Sequence, residues 1–200
     1  MEKAINKPVS INPEGESFEL PEKNDYQLEL ERVENLVNKA RERGQEIVVV
    51  MGVGFVGAVM AAIVADTKNE EGENTKFVIG CQRPSVRSFW KIPMINRGQA
   101  PVKAEDPEVD ELIERCVLQS ETLTATYNND CLQFADCVIV DVQCDYIKNS
   151  LGDMRDGEAD MAALEATMKT IGDKIPENCL VLIETTVAPG TTEFVAWPIL

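Results

Sequence analysis

Histidine is absent from this 200-residue chain. That removes the commonest acid–base side chain near neutral pH and the commonest transition-metal ligand. Six cysteines are present, Cys81, Cys116, Cys131, Cys137, Cys144 and Cys179, yet no two form a CxxC pair. No metal site is therefore expected. Several thiols lie in apolar runs such as "CVIVDV" and "CLVLIE", where a reduced, buried cysteine is the ordinary outcome. Residues 1–30 lack the apolar core of a secretory signal. A disulfide framework is thus not expected, and the chain reads as cytoplasmic. Basic residues are scarce as well: 19 Lys and Arg face 35 Asp and Glu, for a net charge of −16. A surface of that sign repels phosphate backbones, which argues against a nucleic-acid partner. A small anionic ligand stays open, because glycine loops and helix N-termini attract phosphate locally. The sequence shows neither an internal repeat nor a low-complexity tract.

What is present is a hydrophobic fraction of 44%, enough for one sizeable core with an added arm. From Ile47 to Ala65, in "EIVVVMGVGFVGAVMAAIVAD", no side chain is polar. The run approaches the roughly 20 residues a membrane-spanning helix needs. Local preference switches partway along it, however. Ile47 to Val50 are β-branched and favour a strand, whereas "AVMAAIVA" favours a helix. Gly52, Gly54 and Gly57 stand between them as G-x-G-x-x-G, where a dinucleotide site places it. The first glycine permits a tight turn, the second a close backbone approach to a pyrophosphate, and the third close helix packing. The amides of the following helix, from Phe55 and Val56 onward, then face the phosphates. The reading is a nucleotide cradle and no membrane partner.

Strands alternate with helices along the rest of the chain. Strands are expected at "IVVV", "KFVIG", "TLTATY", "CVIVDV" and "CLVLIET", with a short helix over "NNDCLQFA" and another after Pro107. A further helix is expected from about Glu158 to Lys174. Residues 1–22 read as an irregular arm. A helix follows, with Asn24 and Gln27 as its capping box, one apolar face of Tyr26, Leu30, Val33, Val37 and Ala40, and Gly44 as its end. "QCDYIKNSLGDMRDGEAD" reads as a long loop, a length that usually serves function. The fold class is α/β, a Rossmann-type doubly wound parallel sheet with an N-terminal helical extension. The division is 1–45 for arm and helix and 46–200 for the dinucleotide domain.

Four stretches together resemble the NAD-binding domain of the UDP-glucose/GDP-mannose dehydrogenases: "GVGFVG", "INRGQAPVKAE", "TLTATYNNDCLQFADCVIVDV" and "ETTVAPGTTE". The resemblance implies an NAD-dependent oxidation of a nucleotide-sugar primary alcohol to a carboxylate, as in polysaccharide biosynthesis. The nucleotide sugar would be the partner, and assembly into a homo-oligomer is compatible with it. In that family a cysteine thiol later in the chain forms a thioester intermediate, because a thiolate is both a strong nucleophile and a good leaving group. None of the six cysteines here inherits that role, so the catalytic residues stay unknown and this chain alone is expected to be inactive. The family's central and C-terminal domains have no counterpart in this sequence. By resemblance the cofactor contacts are Gly52, Gly54, Phe55, Val56, Gly57, Gln82, Arg83, Thr185 and Thr186, and the cofactor is NAD.

Two departures qualify that assignment. Gln82 stands where the family usually has a ribose-binding aspartate, and Arg83 beside it can accommodate a 2′-phosphate, so NADP is also open. The family's V-x-T-P appears as "VQCD", with Cys144 in the threonine's place and Asp145 in the proline's. Glu105 resembles a family glutamate, or simply favours the helix start near Pro107. Asn96 and Arg97 are read as shaping a loop. The rival readings are the cofactor domain of a hydroxy-acid dehydrogenase and a stand-alone dinucleotide-binding or sensing module.

Overall fold

The computed structural model describes residues 7–148, 150, 152 and 157–200. Five parallel strands form its centre: β3 (Glu46–Met51), β4 (Lys76–Cys81), β5 (Leu123–Thr126), β6 (Cys137–Val140) and β9 (Leu180–Ile183). Their spatial order is β5-β4-β3-β6-β9. From β3 the chain winds outward to one edge, returns to the middle, and then winds to the other. This is the Rossmann-like doubly wound order expected from the sequence. Val48 pairs with Val78 on one side and with Cys137 on the other, which fixes the registers that align the strands' C-terminal ends.

Alternation along β3 divides the core. Ile47, Val49 and Met51 face one layer, where α1 (Lys23–Glu42), a 3₁₀ helix (Asn129–Phe134) and α5 (Ala162–Gly172) pack. Val48 and Val50 face the other, against α2 (Phe55–Ala65), α3 (Lys91–Asn96) and α4 (Glu108–Glu114). A strand buried on both faces reads as a continuous apolar run, which explains "IVVVM". The run Ile47–Ala65 is thus split between β3 and α2. Among the described residues, no helix is long and apolar enough to cross a membrane.

Several local expectations need correction. The arm is not irregular throughout, since β1 (Val9–Ile11) and β2 (Ser17–Glu19) pair as an antiparallel hairpin. Its buried Ser10 hydroxyl donates to the Val86 carbonyl at 3.0 Å and accepts from the Trp90 N–H at 3.2 Å. Helix α1 begins earlier than expected. Its reciprocal cap joins Glu22 and Asp25, and Asp25 Oδ2 accepts the Glu22 N–H at 2.7 Å. Asn24 and Gln27 are therefore already helical. Val33, Val37 and Ala40 are buried as their spacing predicts, and Gly44 follows the helix at φ +72°. The long loop carries a second hairpin, β7 (Asp145–Ile147) with β8 (Glu158–Asp160), so α5 starts at Ala162. Residues 149, 151 and 153–156 of that loop lie outside the described residues.

Candidate functional site

Strand order reverses between β3 and β6, and open α/β sheets place ligands at that point. A cleft of about 670 Å³ opens there, lined by Gly52, Gly54, Gln82, Asp141, Thr185 and parts of α5.

The three glycines differ in what surrounds them. Gly52 has φ +100°, and a Cβ on it would stand 2.5 Å from the Asp141 carbonyl oxygen. Its N–H donates to the Cys81 carbonyl at 2.8 Å, which ties the turn to β4. A Cβ on Gly57 would lie 1.9 Å from the Gly52 carbonyl oxygen and 2.7 Å from Asp141 Oδ2. That is closer than any carbon can approach, so the third glycine allows α2 to start directly on the turn. Gly54, the N-cap of α2, has φ −81° and, among the described residues, no atom within 4 Å of the Cβ position. Neither backbone strain nor packing demands glycine at that position. The space beside it belongs to the cleft, where a ligand's backbone approach would use it. Phe55 and Val56 are exposed and line the same opening, whereas Gly57 lies beneath it.

Gln82 and Arg83 both line the cleft at the end of β4. The Gln82 side chain is already engaged: Oε1 accepts the Val53 N–H at 3.1 Å, and Nε2 donates to Ser88 Oγ at 3.4 Å. Thr185 lines the cleft, and exposed Thr186 is not among the lining residues. Cys144 is not among the lining residues. Its thiol donates to the Asp160 carbonyl at 3.5 Å and lies 3.7 Å from the Met161 sulfur. Glu105 is exposed and outside the lining. Asn96 is structural: its Oδ1 accepts the Ala125 N–H at 2.7 Å and its Nδ2 donates to the Ala125 carbonyl at 3.0 Å. The pair caps the free edge of β5. Arg97 holds Glu16 at 2.7 Å.

Asn129, Lys91 and Asp141 are among the lining residues that sequence reasoning missed. Asn129 accepts the Cys81 thiol at 3.2 Å. Lys91 reaches the cleft from the start of α3, and burial pushes its pKa down. Asp141 ends β6 against Gly57, and burial pushes its carboxyl pKa up. The signal was an acid inside "CVIVDV". Burial also raises the pKa of the Cys116 and Cys137 thiols, and it pushes Cys179 to about 11. Thiols held protonated are poor nucleophiles.

The fold and the cleft together define a dinucleotide-binding domain. A sequence model described as "UDP-glucose/GDP-mannose dehydrogenase family, NAD binding domain" matches residues 46–200. The chain belongs to that family, as its NAD-binding domain. The UDP-N-acetyl-D-mannosamine dehydrogenase of Pyrococcus horikoshii is 28% identical over 149 residues, 74% of this chain and 30% of that protein. Among solved structures, the NDP-N-acetyl-D-galactosaminuronic acid dehydrogenase of Methanosarcina mazei Go1 is 32% identical with a TM-score of 0.67. The alignment covers 84% of this chain and 32% of that one. The GDP-mannose dehydrogenase of Pseudomonas aeruginosa is 27% identical with a TM-score of 0.61, covering 76% of this chain and 31% of that one. The chain thus spans about a third of the length of these relatives.

Proposed function

We propose that this chain is the cofactor-binding part of an enzyme that oxidises the primary alcohol of a UDP- or GDP-linked sugar to the uronate. The observation that supports it most is the open side of Gly54, facing a cleft at the switch point of a sheet whose family binds NAD. Bound there, NAD would supply a hydride acceptor. Gly52 and Gly54 would let the pyrophosphate lie against the backbone, and the first-turn amides of α2 would face its charge. Phe55 and Val56 would flank it, with Gly57 holding α2 close beneath. Gln82 and Arg83 would border the adenosine ribose. With its carbonyl engaged by Val53 and one N–H by Ser88, Gln82 has its second carboxamide N–H left to offer. Thr185 and Thr186 would border the cofactor at the end of β9.

The chain carries no candidate for the thiol chemistry that completes an alcohol-to-acid oxidation. Cys144 donates to the Asp160 carbonyl, Cys81 and Cys131 are buried, and burial holds Cys116, Cys137 and Cys179 protonated. The division of labour is binding here and sugar oxidation in the remaining part of a longer enzyme. The test is spectrophotometric: this chain, given NAD and UDP-glucose, UDP-N-acetylmannosamine or GDP-mannose, produces no NADH. Appreciable NADH formation would show that catalytic groups lie within it after all.

A further inference from the structure

The family match begins at residue 46, so the β1–β2 hairpin and α1 lie outside it. Both nevertheless hold one wall of the cleft. After β4 the chain runs in consecutive turns from Ser85 into α3. The Phe89 N–H donates to the Ser85 carbonyl at 3.0 Å, and the Met94 N–H donates to the Trp90 carbonyl at 3.3 Å. The faces of this segment have different tasks. Ile92 and Ile95 are buried in the core, with Phe89 packed against it. On the cleft side, Ser88 Oγ accepts Gln82 Nε2 at 3.4 Å and donates to the Arg83 carbonyl at 3.1 Å, and Gln82 and Arg83 both line the opening.

Val86, Trp90, Met94 and Arg97 recur at helical spacing on a third face. The hairpin grips all four. Ser10 takes the Val86 carbonyl and the Trp90 N–H through its one hydroxyl. Asn12 Nδ2 donates to the Met94 sulfur at 3.7 Å, while its Oδ1 accepts the Glu16 N–H at 2.7 Å and closes the hairpin turn. Glu16 pairs with Arg97 at 2.7 Å, and the Arg97 guanidinium lies 5.3 Å from the Phe18 ring. Helix α1 adds a second hold, because Tyr26 packs edge-on to Tyr127 at 5.1 Å and Tyr127 to Phe89 at 5.7 Å. Ser10 is fully buried, so water does not stand in for its hydroxyl. None of Ser10, Asn12, Glu16 and Phe18 lines the cleft.

We infer that the N-terminal hairpin is a clamp on the wall of the cofactor cleft, with Ser10 as a positioning residue for NAD binding. This rests on the proposal that the cleft binds the dinucleotide. Ser10 fixes the segment that carries Ser88, and Ser88 fixes Gln82 and the Arg83 backbone. A wall released from the hairpin spends part of its time out of the binding shape, and apparent affinity falls by that fraction. By linkage, bound NAD holds the segment in place when the clamp is weakened.

Titration calorimetry of the whole chain with NAD tests it, beside amide exchange at Trp90 followed by NMR. Ser10→Ala weakens NAD by about tenfold, and Asn12→Ala acts in the same direction. The Trp90 amide exchanges faster in free Ser10→Ala than in wild type, and saturating NAD restores its protection. Val33→Ala, in the face of α1 buried on the other side of the sheet, is the stability control and keeps NAD affinity within about threefold of wild type. Wild-type NAD affinity in folded Ser10→Ala, or an unchanged Trp90 exchange rate, overturns the clamp and leaves the dinucleotide reading intact. Equal weakening by Val33→Ala overturns it too, because affinity then follows stability alone. Failure of the wild type to bind NAD overturns the clamp and the reading together.

Discussion

Replacing Gly57 by alanine adds one methyl group at the tightest point of the fold. Its carbon would stand 1.9 Å from the Gly52 carbonyl oxygen, 3.1 Å from the Gly52 carbonyl carbon and 2.7 Å from Asp141 Oδ2. The first two atoms are backbone and cannot rotate away. Gly52 is held by its hydrogen bond to Cys81 and by a φ of +100°. Relief requires α2 to move off the turn by more than about 1 Å, opening the Ala58, Ala61 and Ala62 contacts behind it. Overpacking of this kind costs about 1–3 kcal/mol or more, against about 1 kcal/mol gained from alanine's helix propensity. A net loss of about 2 kcal/mol is expected, which lowers Tm by about 4–8 °C in a domain of this size. Gly54→Ala is the internal control: its Cβ meets nothing within 4 Å, so its stability stays within about 1 kcal/mol of wild type. Urea denaturation with a common m-value reads both. An unchanged midpoint for Gly57→Ala would refute the packing argument.

Two further outcomes follow from single groups. Asp141→Asn removes a carboxyl whose pKa burial holds above its unfolded value, and whose charge adds to the burial that raises Glu184. A raised carboxyl is tolerated best when protonated. Wild type therefore loses stability as pH rises through the folded pKa, and the asparagine variant is the more stable at pH 7 by a margin that shrinks toward pH 4. The same change removes an anion beside the glycine loop and tightens NAD binding severalfold; a pH-independent difference or weaker binding would contradict this. Asn96→Ala leaves the Ala125 N–H without an acceptor at the covered edge of β5, at a cost of about 1–3 kcal/mol by urea denaturation. Loss below about 0.5 kcal/mol would mean water replaces the amide.

Strands β3, β4 and β6 were legible because burial on both faces leaves an apolar run that little else explains. The glycine loop was legible because each glycine has its own steric reason. The β1–β2 hairpin was not. Its strands are three residues long, and its buried Ser10 is satisfied by Val86 and Trp90, partners far away in sequence. The β7–β8 hairpin is invisible for a related reason, since β7 is exposed along its length and leaves no alternation to read. The capping residues of α1 were misassigned because Glu22, Asn24 and Asp25 all suit a helix start, and only backbone geometry chooses among them. In the cleft, the family resemblance pointed to Gln82 and Thr185, and both line it. It could not reveal that Val53 already occupies the Gln82 carbonyl, nor that Lys91 and Asn129 fold back from other elements to the same wall.

We propose that the cleft over Gly54 holds the dinucleotide. Titration calorimetry of this chain with NAD, beside Gly54→Val, tests it most directly. Wild type binds NAD at one site per chain, and the variant, which keeps its fold by circular dichroism, loses at least about tenfold in affinity. Unchanged affinity in a folded Gly54→Val protein would contradict it.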